Sequence, residues 1–408
     1  MDRTYRRATR RSDAPSSGWG DRSFVKKRLV GRGAGPSVRK RPVGVIVLTV
    51  ICVALIIGLG IGAVSLARAV AGRRGPAGGV SDRQGIEVRD EADDGLVDDG
   101  TIVMTPCGSH ETIVRTGEEY VEPGCLARDT SASMSLSDRV QTSGEVDTST
   151  PGVYTVTYTV ENDEGARAKA ERTVRVVDDV DGGWDEDGIS VMMYHYVYDP
   201  ADPPESVDGN YVTTDELEEQ LAWLSDRGFY QPSWAELRAF IDGTHSLPDK
   251  SIVLTFDDGE YGFLNLGIPL LEKYGIAATS FTECSRDDID HMLDTYASPY
   301  ICFESHSYDM HHAGSTPIGH GGAIYDLSED ELVDDLQHAV DILGTRGAFA
   351  YPYGDVSDVS AAAIERVGIL CSFTTEYEMV YVGSDPTRLP RIRVTGGEGL
   401  EFYQGSAW

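Results

Sequence analysis

The sequence predicts an α/β domain with the architecture of a small or incomplete (β/α) barrel, preceded by a β-sandwich and one transmembrane helix. Three patterns support this: an uncharged apolar run near the N-terminus, a stretch of short alternating strands, and a longer stretch in which strands and helices alternate. The 408 residues leave room for two domains and an anchor. A hydrophobic fraction of 40% and a charged fraction of 25% are ordinary for folded protein, which excludes wholesale disorder.

The apolar run at residues 43–67 is 25 residues long and contains no charged side chain. A helix that rises about 1.5 Å per residue spans the hydrocarbon core of a bilayer, roughly 30 Å, over this length. A cleaved signal peptide is the alternative, but its apolar region is usually about 7–15 residues and its leader is shorter than residues 1–42. The run is therefore predicted to be a transmembrane helix.

Charge is unevenly distributed on the two sides of this run. Residues 1–42 carry thirteen Lys and Arg against three acids, a net of +10, and the remaining residues carry 22 bases against 64 acids, a net of −42. By the positive-inside rule we expect a single-pass protein of the cell membrane with a cytoplasmic basic tail and an extracellular catalytic domain. The tail indicates topology and contact with anionic lipid, and no nucleic-acid partner is expected.

A flexible stalk and a β-sandwich are predicted next. Residues 68–99 are rich in Gly and acids and form the stalk, whereas apolar–polar alternation such as PGVYTVTYTV at 151–160 indicates a β-sandwich over residues 100–178. The segments TGEEYVEPGCLARD and SGEVDTSTPGVYTVTYTVENDEGARAKAERTVRV resemble the immunoglobulin-like modules of bacterial surface proteins. This resemblance implies a spacer or a weak wall-binding module.

The cysteines allow more than one arrangement. In an oxidising exterior Cys107 and Cys125 of the sandwich can close a disulfide, and the alternative is two small buried thiols. Of the later three, Cys284, Cys302 and Cys371, one stays free or pairs outside its own domain. The sequence contains no CxxC pair, so a structural zinc knuckle is not indicated.

Strand and helix alternate over residues 189–408, after an acidic linker at 179–188. Six apolar runs are candidate strands: Ile189–Met193, Ile252–Phe256, Ile276–Phe281, Tyr300–Phe303, Ala348–Tyr351 and Ile369–Phe373. Helix starts are indicated by three capping-box pairs: Thr213 with Glu216, Ser233 with Glu236, and Ser328 with Glu331. Repeated βα units form a parallel sheet covered by helices, so we expect the active site at the carboxyl ends of the strands.

The segment SIVLTFDDG brings Asp257 and Asp258 to the end of a predicted strand. Adjacent carboxylates repel each other, so both stay ionised only with a metal ion or a cation beside them. The structural alternative is a strand-ending turn in which Asp caps a helix.

The segment ESHSYDMHH also follows an apolar run. On a helix, His306 and His311 would point about 140° apart, whereas in a loop they can converge on one divalent ion such as zinc. A histidine-rich loop is otherwise ordinary polar surface, and His312 can replace His311 in this role.

Two further segments are weaker candidates. GAFAYPYGD contains a Pro–Tyr–Gly turn, which is either architecture or a rigid wall whose Tyr353 N–H points into the site. VMMYHY places His195 at the end of the first strand of the domain, where a histidine is either structural or catalytic.

These four segments, in this order and each at a strand end, resemble the polysaccharide deacetylase family (NodB homology, carbohydrate esterase family 4), and in particular its poly-N-acetylglucosamine deacetylase branch. The resemblance extends from about Ile189 to Val394 and includes GNYVTTDELEEQLAWLSDRGF and RLPRIRV. It implies metal-dependent hydrolysis of N-acetyl groups from a cell-surface or cell-wall polysaccharide, either poly-N-acetylglucosamine or peptidoglycan.

The resemblance also implies a role for each motif residue. Asp258, His306 and His311 are the implied metal ligands, for Zn²⁺ or, alternatively, Co²⁺ or Ni²⁺. Asp257 is the implied base that deprotonates the attacking water. The backbone N–H of Tyr353 is implied to stabilise the oxyanion.

The sequence departs from the family pattern at two positions. No histidine follows His338, so the C-terminal Leu-x-His motif that supplies the general acid in the wider family is missing. The resemblance to the poly-N-acetylglucosamine branch, whose catalytic histidine comes from the early YH segment, implies His195 in its place. Gly347 and Ala348 stand where the wider family has an arginine that steadies the base, and Arg391 in LPRIRV is the candidate replacement.

Two other functions remain open. An enzyme of the same fold that removes O-acetyl groups would have identical ligands. A non-catalytic carbohydrate-binding surface protein would bind through the immunoglobulin-like module, but the intact Asp and His motifs favour an enzyme. The acidity of the chain favours a neutral N-acetylated polysaccharide over an anionic polymer as substrate.

Overall fold

The computed structural model describes residues 100–407. The predicted cytoplasmic tail (1–42), transmembrane helix (43–67) and stalk (68–99) lie outside these residues. Within residues 100–407, no helix is both long enough and apolar enough to cross a bilayer.

Seven short strands in two sheets form the first domain, which we call the sandwich domain (residues 100–177). They are β1 Ile102–Pro106, β2 Glu111–Arg115, β3 Cys125–Asp129, β4 Met134–Ser135, β5 Gln141–Ser143, β6 Gly152–Glu161 and β7 Arg167–Val177. The sheet orders are β1-β3-β4 and β2-β7-β6-β5. The alternation predicted for β6 is confirmed, since Val156, Tyr158 and Val160 are buried whereas Val153 is 71% exposed.

Seven parallel strands form the central sheet of the second domain, which we call the α/β domain (residues 189–407). In sheet order they are β15 Cys371–Phe373, β14 Ala348–Ala350, β13 Ile301–Ser305, β12 Ala278–Thr282, β11 Ile252–Phe256, β8 Ser190–Tyr194 and β16 Ile392–Arg393. A small parallel pair lies beside them, β9 Tyr196–Tyr198 and β10 Tyr211–Thr213. All six predicted apolar runs overlap strands of this sheet. Its edges are β15 and β16, so the barrel is incomplete, as predicted.

Helices connect the strands of the α/β domain. They are α1 Thr214–Arg227, α2 Trp234–Ile241, α3 Ile268–Tyr274, α4 Ile289–Thr295, α5 Glu329–Leu343, α6 Asp358–Val367 and α7 Gly399–Ala407. The three predicted capping boxes are confirmed, because Thr213, Ser233 and Ser328 each accept from the N3 backbone N–H at the start of α1, α2 and α5.

The sandwich domain packs against segments that precede the parallel strands. Thr105 donates to the carbonyl of Ser298, just before β13, at 2.7 Å, and Arg128 forms a 2.6 Å ion pair with Asp294 at the end of α4. Because these segments lead into the amino ends of the strands, the carboxyl ends are left free for a site.

Candidate active site

The carboxyl ends of β11 and β13 bring the two strongest sequence motifs together. Asp258 is the second residue after β11, and His306 directly follows β13. The Oδ1 atom of Asp258 lies 3.4 Å from Nε2 of His306 and 3.4 Å from Nε2 of His311. One ligand atom from each of the three side chains lies within 4.8 Å of the others. The loop thus brings together two histidines that a helix would separate.

This donor set fits a divalent metal ion. Tetrahedral coordination with bonds of about 2.0–2.1 Å separates neighbouring donor atoms by about 3.4 Å. Asp258 lies at this spacing from each of the two histidines. The carbonyl of Ala350 lies 2.8 Å from Nδ1 of His306, which fixes the proton on Nδ1 and leaves Nε2 free to bind an ion. His312, the alternative ligand, is exposed and its Nδ1 faces the carbonyl of Ala313, so the geometry favours His311.

The electrostatics of Asp258 and His311 also favour ion binding, whereas for His306 burial would lower the pKa but Asp258 and Asp257 raise it. Burial alone would raise the pKa of Asp258, but His306, His195 and the hydroxyl of Tyr196 together outweigh it and hold the pKa well below its usual range. Burial lowers the pKa of His311, and the neighbouring His306 lowers it further, so the neutral form that ligates metal is favoured. The hydroxyl of Tyr196 donates to Oδ2 of Asp258 at 2.7 Å and thereby orients the carboxylate.

The second carboxylate of the pair, Asp257, is held by Arg391. The guanidinium donates to both carboxylate oxygens at 2.7 Å, and the two residues are 3% and 0% exposed. Burial alone would raise the pKa of Asp257, but the charge and hydrogen bonds of Arg391 outweigh it and lower the pKa. The two adjacent carboxylates can therefore both stay ionised, because Asp257 faces Arg391 whereas Asp258 faces the histidines.

Gly347, one of the two positions before the Pro–Tyr turn where the family arginine was sought, has little room for a side chain. A Cβ on Gly347 would lie 2.4 Å from Oε1 of Glu304 and 2.8 Å from the ring of Trp234. The space beside Gly347 is therefore filled. Arg391 instead enters from the start of β16 on the other side of the sheet, where its Nε donates to the carbonyl of Thr374 at 3.1 Å.

His195 and Tyr353 complete the predicted set. Both line an open cavity of about 370 Å³ together with the residues already described. Burial lowers the pKa of His195, and its Nδ1 has no hydrogen-bond partner among the described residues. Tyr353 adopts a left-handed backbone (φ 62°), and its ring stacks on His311 at 4.8 Å.

Several residues at the site were not predicted from the sequence. Tyr196 and Asn210 from the small strand pair, Thr375 and Arg393 line the cavity. Tyr196 is adjacent to His195 in VMMYHY, so the motif gave some signal for it. Asn210 and Arg393 lie in GNYVTTDELEEQLAWLSDRGF and RLPRIRV, which carry the family resemblance but gave these two residues no role. Only the fold brings them and Thr375 to the cavity.

Asp335 was also missed, although it organises the loop between the two histidine ligands. Its two carboxylate oxygens accept the backbone N–H groups of Tyr308 and Asp309, both at 2.8 Å. It sits on α5, far along the chain, and nothing in its own sequence neighbourhood indicates this contact.

A further buried carboxylate supports the cavity wall. Asp355 accepts the backbone N–H groups of His320 at 2.7 Å and of Gly322 at 2.8 Å. These contacts fold the loop around His320 against the turn that carries Tyr353.

Two family profiles match the chain. The family described as "Polysaccharide deacetylase" matches residues 244–371, and the family described as "Bacterial surface protein, Ig-like domain" matches residues 104–176. The chain contains a polysaccharide deacetylase domain. An Ig-like domain of the bacterial surface type precedes it. The deacetylase match includes the ligand group and Asp257, whereas His195 and Arg391 lie outside it.

Curated relatives point to the same family. The poly-beta-1,6-N-acetyl-D-glucosamine N-deacetylase of Staphylococcus epidermidis is 28% identical over 208 residues, which cover 46% of this chain and 69% of that protein. The protein of the same name from Staphylococcus aureus strain MRSA252 is 26% identical over 205 residues, with the same coverage. The predicted resemblance to this family is confirmed. Deacetylases are hydrolases, so the deacetylase domain is a hydrolase domain.

Two solved structures are among those with similar chains. The Streptococcus pyogenes deacetylase PplD, in complex with acetate, has 20% identity and a TM-score of 0.46, and the match covers 54% of this chain and 98% of that one. IcaB from Ammonifex degensii has 25% identity and a TM-score of 0.44, with coverage of 54% and 97%.

Proposed function

We propose that the deacetylase domain hydrolyses N-acetyl groups of a neutral N-acetylglucosamine polymer, with a divalent metal ion, zinc first among the candidates. One observation carries the proposal: the ligand group of Asp258, His306 and His311 lies beside an arginine-paired carboxylate, Asp257, at one open cavity. The first candidate substrate is poly-β-1,6-N-acetylglucosamine, after the names of the relatives, and peptidoglycan is the second.

The three ligand side chains would hold the ion and leave coordination positions open toward the cavity. An ion bound there supplies a Lewis acid that polarises the acetamide carbonyl and lowers the pKa of the attacking water toward about 7. Ala350 and Tyr196 orient His306 and Asp258 for this purpose.

Asp257 acts as the base in this proposal. Its pKa is lowered, so it is ionised near neutral pH but weakly basic. A weak base removes a proton efficiently only from an acidified water, which is why the carboxylate and the ion site have to be neighbours. Arg391 uses one lone pair of each carboxylate oxygen, and the remaining lone pairs are available to accept the proton.

The departing amine needs a proton, and His195 is the proposed donor. It lines the same cavity, and its charge interacts with Asp257 and Asp258. Its depressed pKa makes the protonated imidazole a stronger acid than an exposed histidine. The backbone N–H of Tyr353, on the opposite wall, is the proposed oxyanion donor.

The charge of the chain supports a neutral substrate. The net of −42 outside residues 1–42 repels anionic polymers, whereas N-acetylglucosamine is uncharged and becomes cationic as acetyl groups leave. Tyr353 is 39% exposed at the cavity and offers an aromatic face against which a sugar ring can pack.

The test uses the purified full chain, stripped of metal by a chelator and reloaded with zinc, cobalt or nickel. Acetate release is measured from β-1,6-linked N-acetylglucosamine oligomers, from β-1,4-linked oligomers and from an O-acetylated xylan. We expect metal-dependent release from an amide substrate, abolished in the His311→Ala variant. The His312→Ala variant is the matched control and should retain both metal binding and activity.

Two results would overturn this proposal. Release from the ester alone would make the protein an O-acetyl esterase. A stoichiometric metal without release from any substrate would indicate a carbohydrate-binding protein that has lost catalysis.

We also propose that the deacetylase domain acts outside the cytoplasm, anchored by residues 43–67. The uncharged run and the charge asymmetry around it support this placement. Alkaline phosphatase fused after residue 408 should be active in cells, and an inactive fusion would contradict the proposal.

A further inference from the structure

Two cysteines from different domains meet where the Ig-like domain contacts the deacetylase domain. Cys107 directly follows β1, and Cys302 is the second residue of β13. Their side chains line the same small cavity between the domains, and each thiol shifts the pKa of the other. Both are free thiols in the structure, as are the other cysteines within residues 100–407.

The geometry separates Cys107 from Cys125, the partner considered from the sequence. Pro106 is the residue directly opposite Cys125 in the antiparallel pairing of β1 with β3. Cys107 is one residue further on, beyond the end of β1, so it is not the residue paired with Cys125. Cys125 packs in the core of the Ig-like domain, whereas Cys107 borders the cavity with Cys302.

The backbone around Cys107 is held against the deacetylase domain. The Nη2 atom of the buried Arg172 donates to the carbonyl of Cys107 at 2.7 Å. Two residues on, the N–H of Ser109 donates to the carbonyl of Gln231 at 2.7 Å, and the N–H of Gln231 donates back to Oγ of Ser109 at 3.0 Å. The two thiols are therefore held in place by both domains.

We propose that Cys107 and Cys302 form an interdomain disulfide when the protein meets a disulfide-donating oxidant. The two thiols lose two protons and two electrons, an Sγ–Sγ bond forms, and the donor disulfide is reduced to two thiols. The bond would fasten the Ig-like domain to β13, the strand that leads directly into His306. It would give this domain a structural role beyond that of a spacer.

The two thiols differ in pKa and in accessibility, as stepwise thiol–disulfide exchange requires. Cys302 and the positive charge of Arg172 lower the pKa of the Cys107 thiol, which is also the more accessible of the two. Cys107 and burial raise the pKa of Cys302. Cys107 would thus attack the donor first as a thiolate, and Cys302 would then displace the donor from the mixed disulfide.

The experiment maps disulfides in the purified full chain after incubation with oxidised glutathione. Free thiols are alkylated under denaturing conditions, and peptides are analysed by mass spectrometry with and without reductant. We expect one reductant-sensitive peptide pair that joins Cys107 to Cys302, with Cys125 and Cys371 alkylated. The thermal midpoint of the oxidised chain should exceed that of the reduced chain by several degrees, because the cross-link constrains the unfolded state.

Variants separate this bond from other effects of oxidation. Cys107→Ser and Cys302→Ser should each abolish the difference in midpoint, and the matched control Cys125→Ser should keep it. A peptide pair joining Cys107 to Cys125, or complete alkylation of both Cys107 and Cys302 after oxidation, would overturn the proposal. Mapping the wild-type chain decides the question even if a variant fails to fold, and no step depends on deacetylase activity.

Discussion

Arg391 donates to both carboxylate oxygens of Asp257 at 2.7 Å, although 134 residues separate the two in sequence. The pair is almost completely excluded from solvent, and the guanidinium is further held by Thr374 and by Thr255 at 3.2 Å. A bidentate contact fixes both the distance and the plane of the carboxylate. Arg391 therefore sets the orientation of the proposed base from outside the matched deacetylase segment.

Replacing Arg391 with lysine should impair catalysis more than substrate or metal binding. Lysine keeps the charge but cannot donate in the planar, two-bond arrangement, so Asp257 would lose its fixed orientation. We expect kcat to fall roughly 10- to 100-fold with a smaller change in KM. Steady-state kinetics on an N-acetylglucosamine oligomer measure this. Arg366→Lys, at an exposed arginine paired with Glu329, should match wild type, and an unchanged kcat in Arg391→Lys would contradict the orienting role.

Replacing His195 with alanine should strongly reduce turnover but leave metal binding intact. The residue lies outside the ligand group, and a general acid contributes about 10²- to 10⁴-fold to a rate. Burial lowers the pKa of His195, so the protonated form is lost on raising the pH through that lowered value. The wild-type rate should therefore show a declining alkaline limb that the variant lacks.

Metal titration and pH–rate profiles check this prediction about His195. His291→Ala, at an exposed position on α4, is the control and should keep the wild-type profile. Loss of metal binding in His195→Ala would assign the residue a ligand-supporting role instead.

The fold and the candidate ligands were largely predictable because their signals are local. Apolar runs gave six of the seven strands of the sheet to within about two residues at each end, and β16 was not predicted. The Ser or Thr with a Glu three residues later gave the starts of α1, α2 and α5. Asp258 and His306 each follow a strand within two residues. Since the carboxyl ends of parallel strands lie at one edge of a sheet, the fold predicts that these two side chains meet there.

What could not be predicted depends on contacts between distant segments. The thiol contact of Cys107 with Cys302 requires the docking of one domain on another, and neither segment encodes that alone. The contact of Tyr196 with Asp258 depends on the small β9–β10 pair, which the apolar pattern did not reveal. Arg391 was selected from a family comparison, and its bond to Asp257 came only from the structure.

Removing the carboxylate of Asp335 should weaken metal binding without touching a ligand. Asp335 accepts the N–H groups of Tyr308 and Asp309, so Asp335→Ala leaves two donors unpaired in the loop that positions His311. Each lost acceptor costs about 1–3 kcal/mol where the donor stays buried. We expect metal affinity to fall roughly 10- to 100-fold.

Isothermal titration with zinc measures the affinity change in the Asp335 series. Asp335→Asn keeps one carbonyl acceptor and should show an intermediate loss, and Asp334→Ala, on the exposed face of α5, is the matched control. Equal affinity in wild type and Asp335→Ala would show that the loop holds its shape without this carboxylate.

Glu304 should make the folded protein less stable as the pH rises through neutrality. Burial raises its pKa from 4.5 to about 8, although the N–H of Ala348 and the hydroxyl of Thr345, both at 3.0 Å, favour the ionised form. Between these two values the unfolded chain has lost the proton and the folded chain keeps it, so stability declines with pH by at most about 1.4 kcal/mol per unit. Above about pH 8 both states are ionised and the decline stops.

The Glu304→Gln variant should remove this slope, because glutamine stays neutral and can keep a bond to Ala348. Thermal midpoints of wild type and variant between pH 5 and 9 measure the effect, with the exposed Glu365→Gln as the matched control. We expect the difference between the thermal midpoints of the variant and wild type to grow steadily up to about pH 8 and then to stay constant. Parallel curves would show that Glu304 is ionised in the folded protein throughout, with Thr345 and the backbone stabilising its charge.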